Sequence, residues 1–489
     1  MTSRAQSAAA SPTGHAEPLS LDLVIGGRRV ATERRIAIVN PATEEEIGTV
    51  SHASVADLDA ALDASAEAFK AWRKTPAAAR AAILAKAAGL LRERADGIAR
   101  MLTREQGKPL AQAHLEIMLC AETFDWFAAE AGRAYGRIIP ARAPGGRQMV
   151  LPEPIGPVAA FTPWNFPALL AARKVAPALA AGCTVILKPA EETPASPLAL
   201  GEALLDAGLP AGVLSVVLGD PAEISDHLIA SPVVRKITFT GSVAVGRRLA
   251  RLAGEHLKPC TLELGGHAPV IVMADADIAA AAATSAIGKT RNAGQVCTSP
   301  TRFYVQRRVR DAFVDGFARA LEAMTVGDGL LPETQIGPLA NTRRLAAMGA
   351  LVDDATGRGA TVVTGGERAG NRGYFFKPTI LADVPDDALA MTSEPFGPIA
   401  LVSSFDDLDE ALAKANRSQV GLAGYAFTTS HADAVAIGEG LEVGMLGINS
   451  FAVSHTEAPF GGVKDSGYGY EGGPEGLAGF LHQKYVHHA

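Results

Sequence analysis

The spacing of apolar positions changes character along the chain. From about Leu21 to Ala42, short apolar runs are interrupted by turns, and VIGGRRV (Val24–Val30) carries the Gly-Gly of a hairpin. From Val55 to about Arg137, apolar residues recur at three- and four-residue intervals, as in DLDAALDASAEAFKAWRK, which predicts amphipathic helices. EQGKP (Glu105–Pro109) breaks this region with a glycine and a proline. The period then switches. PVAAFTP, TVILKPA, GVLSVVLG and VRKITFTGS read as strands. Between and after them, PALLAARKVAPALAAG, closed by Gly182, then SPLALGEALLDAG, EISDHLIA and AVGRRLARLAG read as helices. Apolar strands alternating with helices predict a parallel, doubly wound sheet buried on both faces. A second alternating series starts at PVIVMADAD and runs through RFYVQRRV, AFVDGFARALEAM, ATVVTGG and AGYAFTT, so two α/β domains are predicted. No tandem repeat interrupts the pattern.

Composition narrows the class. The 489 residues are 48% hydrophobic and 20% charged, the profile of a globular protein with a large core. A net charge of -7 supplies no basic surface for nucleic acid or anionic membrane. The most apolar run, Val175–Leu187, is bounded by Lys174 and Lys188 and falls short of the about 20 apolar residues of a membrane span. The N-terminal residues 1–20 are small and polar and are expected to form a disordered tail. Cys120, Cys183, Cys260 and Cys297 are far apart, with neither zinc-ligand spacing nor the density of a disulfide scaffold. Reduced thiols in a cytoplasmic enzyme, without a metal site, are the expectation.

Candidate chemistry gathers at the predicted strand ends. No G-x-G-x-x-G follows the first strand of the sheet, but GSVAVG (Gly241–Gly246) follows ITFT and opens a helix, where backbone N–H groups can receive a pyrophosphate. LKPAEE (Leu187–Glu192) ends a neighbouring strand, where Lys188 and Glu191 would face the crevice; a carboxylate accepts from ribose hydroxyls and repels a 2′-phosphate. TPWNFP (Thr162–Pro167) offers the Asn165 amide to an oxyanion. LELGGHAP sets Glu263 before two glycines, and RNAGQVCT presents Cys297 as a nucleophile. Each segment also has a plainer reading: an ordinary strand-to-helix turn, a solvated charged loop, or a small buried thiol.

Taken in order, TPWNFP, LKPAEETP, FTGSVAVG, LELGGHAP, RNAGQVC, EPFGP and PFGGVKDSG resemble the signature blocks of the NAD(P)-dependent aldehyde dehydrogenase superfamily, from about Val24 to Tyr485. The resemblance implies a Rossmann-like NAD-binding domain (21–137 and 159–263), an α/β catalytic domain (264–455) and a small β oligomerisation arm (138–158 and 474–489). It implies Cys297 as nucleophile, Glu263 as the base for the deacylating water, and Asn165 with the Cys297 N–H as oxyanion donors. Lys174 matches a lysine of a proton relay. Lys188 and Glu191, with Pro189 and Ala190 between them, match the adenosine-ribose contacts, and Gly241 and Ser242 the pyrophosphate turn. Thr162, Pro163, Trp164, Leu264, Glu394 and Phe396 match the rest of the cofactor cleft. NAD is expected in preference to NADP, in a homodimer or homotetramer.

Three further positions bear on the aldehyde. Arg173, Arg291 and Ser454 resemble the set found in members that oxidise carboxylate-bearing semialdehydes such as succinate semialdehyde; an arginine fork binds a carboxylate through two parallel hydrogen bonds. The text also resembles α-ketoglutaric semialdehyde dehydrogenases, but Ser454 and His455 stand where those tend to carry Pro and Trp. A member that acylates coenzyme A, or a silent one, would be expected to lack Glu263 or Cys297, and both are present. Ser299 occupies the position at which some relatives carry a second, redox-active cysteine.

Overall fold

The computed structural model describes residues 18–488, so the expected tail lies outside the described residues through position 17. Leu19–Leu21 is already a strand, paired in parallel with Gly48–Val50, so Leu19 and Ser20 belong to a strand rather than to the expected tail. The VIGGRRV segment forms the expected hairpin: Leu23–Ile25 and Arg28–Val30 pair antiparallel across Gly26 and Gly27, at φ 59° and 77°.

Five parallel strands form the centre of the first sheet. Their spatial order is Cys260–Glu263, Lys236–Thr240, Val158–Phe161, Val185–Lys188, Leu214–Val216. Counted along the chain, the order reverses between Val158–Phe161 and Lys236–Thr240. A crevice must open there beyond the carboxyl ends, because the connecting helices leave to opposite faces. The helix Pro167–Ala181 follows the first of these strands. Proline at its first turn sets φ, and Gly182 at φ 97° closes it. It is buried along its whole length, packed beside the helix Leu110–Ala131, and it carries Arg173 and Lys174 into the interior.

The second sheet is also mainly parallel. Thr379–Ala382, Ile399–Phe405, Pro300–Gln306, Ala268–Val272, Ala423–Phe427 and Met445–Ile448 lie side by side, with Thr361–Thr364 antiparallel at one edge. A third, antiparallel sheet joins Arg137–Ile139, Arg147–Pro154 and Leu481–His488.

The C-terminal course differs from the expected division. After the second sheet the chain returns to the first, where Gly467–Tyr468 pairs with Leu262 and Glu263. Gly473–Ala478 is a short helix against the helices Leu110–Ala131 and Pro167–Ala181, and only from Leu481 does the chain join the antiparallel arm. The reason is the apolar content of this segment: Leu477 and Phe480 are buried in the core of the first sheet. Val158 likewise begins a strand of that sheet.

Candidate active site

The crevice becomes a cavity of about 320 Å³ between the two sheets. Pro163, Trp164, Asn165, Gly241, Ser242, Glu263, Leu264, Cys297, Glu394 and Phe396 all line it, joined by Thr240, Gly265 and Arg344. Segments from both sheets thus converge on one space, as the blocks in the sequence anticipate. Trp164 and Phe396 meet edge-to-face at 5.4 Å and narrow one end. Thr162 is buried behind Pro163, its backbone N–H bonded to the Lys188 carbonyl at 3.1 Å. Lys188 and Glu191 form an ion pair at the end of the adjoining strand, with Pro189 and Ala190 between them. Ser242 caps the helix Val243–Glu255, its hydroxyl accepting from Val245 N.

The backbone before Cys297 is unusual. Asn292, Ala293 and Gly294 are consecutively left-handed, at φ 49°, 53° and 73°. For Asn and Ala this costs roughly 1–2 kcal/mol each. A dense set of hydrogen bonds holds the turn. Gln112 Oε1 accepts from Asn292 N at 2.9 Å, Asn292 Nδ2 donates to the Asn165 carbonyl at 2.9 Å, and Gln295 Oε1 accepts from Ala340 N at 2.9 Å. Gly294 is required here, since a Cβ would fall 2.1 Å from the Gly397 carbonyl oxygen. Gly266 is required by close approach, because its Cβ would meet the Cys297 carbonyl at 2.3 Å. The two glycines thus serve two contacts: Gly294 lets the turn before Cys297 lie against the Gly397 backbone, and Gly266 lets the segment after Glu263 lie against the Cys297 carbonyl.

The polar groups around Cys297 are few and largely buried. Asn165 Nδ2 donates one N–H to the Gln295 carbonyl at 3.0 Å, which orients the amide and leaves its second N–H free. Among the described residues, both carboxylate oxygens of Glu263 are buried without a hydrogen-bond partner, as is Oδ1 of Asn165. Burial raises the Glu263 carboxyl well above the usual range, and the nearby Glu471 charge adds to this, against Lys174 and Arg173. Burial likewise lifts Glu394 to about 8. The Cys297 thiol is pushed up to about 12, first by burial and then by Glu394 and Glu263, opposed by Arg173. With both carboxyls biased toward their neutral forms, burial is the dominant cause for the thiol. Positive charge entering the cavity would favour the thiolate.

Lys174 is paired with Glu471, and among the described residues the second oxygen of Glu471 is buried without a partner. The two side chains are 297 positions apart in sequence, so no local pattern links them. The only signal was an acid set before Gly472-Gly473, much as Glu263 precedes Gly265-Gly266. Next to Lys174 on the same helix, Arg173 donates to Ser454 Oγ at 2.6 Å and lies over the Phe460 ring at 4.7 Å. Arg291 lies over the Phe166 ring at 5.1 Å. Among the described residues neither arginine has a carboxylate partner, and the positive charge of Arg173 bears on Arg291, on Cys297 and on Glu263. His455 is exposed.

A thiol, an amide and a buried carboxyl meet at a crevice between two parallel-sheet units. The chain belongs to the aldehyde dehydrogenase family, whose model matches residues 29–486. It is 52% identical over 469 residues to a 4-(hydroxymethyl)benzenesulfonate dehydrogenase of Comamonas testosteroni, covering 96% of this chain and 98% of that one. It is 44% identical over 451 residues to the NADP(+) succinate-semialdehyde dehydrogenase of Escherichia coli, covering 92% and 94%. The crystal structure of a succinate-semialdehyde dehydrogenase from Burkholderia pseudomallei superposes with a TM-score of 0.94 at 42% identity, over 96% of this chain and 98% of that one. The protein is thus an oxidoreductase acting on aldehydes, of a family that uses NAD(P) and small-molecule aldehydes. Among the described residues no helix is long and apolar enough to cross a membrane, and no cluster of His, Cys, Asp or Glu is suited to a metal ion.

Proposed function

We propose that the protein oxidises an aldehyde carrying a distal anion, with succinate semialdehyde as the favoured substrate and NAD as the favoured cofactor. The observation that carries this reading is the pair Arg173 and Arg291. Arg173 is buried and Arg291 half-buried, neither has an acidic partner among the described residues, and the charge of each bears on Cys297. Two unpaired guanidiniums in one region are costly unless an anion joins them. Ser454 already orients Arg173 and can donate to the same anion.

The residues fit a nicotinamide dinucleotide. Among the described residues, Thr162 and Thr240 keep buried hydroxyls without partners beside the crevice, and the Ser242-capped helix presents its N-terminus to it. Lys188 and Glu191 would hold the adenosine ribose, Gly241 and Ser242 the pyrophosphate, and Trp164, Leu264, Glu394 and Phe396 the nicotinamide half. When bound, the oxidised nicotinamide supplies the hydride acceptor. The chain supplies the rest. Cys297 attacks the aldehyde carbon as thiolate, and the resulting oxyanion is held by Asn165 Nδ2 and the Cys297 backbone N–H. Oxidation leaves the acyl group on Cys297 as a thioester. Glu263, once ionised, takes a proton from water as that water attacks the thioester, and the Glu471 carboxylate, paired with Lys174, stands next in line to receive it. Glu191 disfavours a 2′-phosphate by charge repulsion, although the E. coli relative is named for NADP(+).

A second reading has its own support. Phe166, Phe460, Tyr425 and Phe451 surround the arginines, and Tyr425 meets Phe451 at 4.6 Å. Such walls suit a benzaldehyde with a para anion, in line with the Comamonas relative. The exposed apolar side chains of the arm region, Tyr135, Ile138 and Tyr485, support a homodimer or homotetramer, and a cytoplasmic location belongs to the same reading. The test is a kcat/KM panel at fixed NAD with succinate semialdehyde, α-ketoglutaric semialdehyde, 4-formylbenzoate and butyraldehyde. The anionic substrates should lead, and equal or better rates on butyraldehyde would defeat the proposal.

A further inference from the structure

The EQGKP turn and the helix after it hold a buried ion pair with no part in the chemistry above. Lys108 Nζ lies 2.5 Å from Glu116 Oε2, and both side chains are 0% exposed. Lys108 also donates to the Asn165 carbonyl at 2.7 Å and sits 3.9 Å from the centre of the Phe166 ring. Arg291 lies over the same ring. Glu116 and Arg291 line one cavity of about 570 Å³ together with Phe166 and Phe451. The other oxygen of Glu116 accepts from Ala168 N at 3.0 Å and Leu169 N at 3.2 Å, at the start of the helix that carries Arg173.

Glu116 is therefore the acid placed to bear on Arg291, and its charge does favour the protonated guanidinium. Yet it is fully occupied, one oxygen by Lys108 and the other by a helix N-terminus. A buried carboxylate deprived of its cation is strongly driven to another one, and Arg291 is at hand. We propose that Lys108 is a specificity-determining positioning residue: by holding Glu116 it prevents that carboxylate from neutralising Arg291, and so keeps Arg291 available to the anionic end of the substrate. This rests on the reading that Arg291 receives that anion.

The test uses the full-length enzyme and one readout, the ratio of kcat/KM for succinate semialdehyde to that for butyraldehyde. Both substrates share the loss of the Lys108 contact to Asn165, so a merely structural effect cancels in the ratio. Lys108→Met should lower the ratio by about tenfold or more, because Arg291 is diverted to Glu116. The double variant K108M/E116Q should return it to within about threefold of wild type, since a neutral amide does not hold Arg291 as a carboxylate does. Should K108M not fold, K108Q keeps a donor to the Asn165 carbonyl while removing the charge, and the same ratios are expected. Arg291→Ala separates the two levels of the argument. If R291A lowers the ratio but K108M does not, or if K108M and the double variant fall equally, the role of Lys108 is overturned while the anion reading stands. If R291A leaves the ratio unchanged, both are overturned.

Discussion

Replacing Arg173 by alanine removes a guanidinium that is 6% exposed, bonded to Ser454 at 2.6 Å and stacked on Phe460. In the proposed complex the substrate's carboxylate would then lie in a largely buried site without its partner. Truncating one member of a buried, hydrogen-bonded charge pair costs about 2–5 kcal/mol, most of it from the charge left behind. At about 1.36 kcal/mol per tenfold, kcat/KM for succinate semialdehyde should fall by roughly 30-fold to several thousandfold. Arg291 is only half-buried, so Arg291→Ala belongs toward the lower end of that range. Butyraldehyde presents no carboxylate and should lose far less in either variant. Initial rates of NADH formation across both substrates give the comparison directly. Equal proportional losses on the two aldehydes would show that the arginines support the fold rather than the anion, and the substrate proposal would fall.

Other consequences follow from the same geometry. Ser454→Ala removes one neutral donor and should cost about tenfold or less on the anionic substrate; a loss as large as that of R173A would mean Ser454 anchors the arginine rather than the substrate. Glu191→Ser should narrow the preference for NAD over NADP in paired KM measurements, and a wild type that prefers NADP would contradict the role given to Glu191. Glu394 is lifted from 4.5 to about 8, so the folded protein holds a proton there that the unfolded chain has released. Stability contributed at low pH should therefore be lost as pH rises from about 4.5 to 8, and Glu394→Gln should flatten that slope in denaturation curves by up to a few kcal/mol; unchanged slopes would contradict it. Peroxide should inactivate by oxidising Cys297 itself, since Cys120 and Cys183 are fully buried and Ser299 replaces a neighbouring thiol. A disulfide from Cys297 to Cys260 in peptide maps would refute this.

Local patterns carried much of this architecture. The parallel strands announced themselves as short apolar runs, and the block TPWNFP placed Trp164 and Asn165 at a strand end, because a strand that is buried on both faces must surface where it meets the crevice. The left-handed turn at Asn292–Gly294 was not legible: Asn292 is held by Gln112 and Asn165, and the following Gln295 by Ala340, partners that only the assembled domains supply. The same holds for Glu471, brought to Lys174 by a late return of the chain, and for Glu116, which reads as one polar residue on a long helix. Ion pairs between distant segments leave no period in a sequence. The arm's C-terminal boundary was set too early for a related reason, since Leu477 and Phe480 are claimed by the core of the first sheet.

The claim on which the rest depends is that Cys297 carries the acyl group and Glu263 releases it. Acid-quenched Glu263→Gln enzyme, mixed with NAD and succinate semialdehyde and analysed by peptide mass spectrometry, tests both at once. The expected result is a burst of NADH near one per active site and an acyl adduct on the peptide containing Cys297, with little turnover afterwards. Full steady-state turnover without an adduct, or an adduct on any other residue, would contradict it.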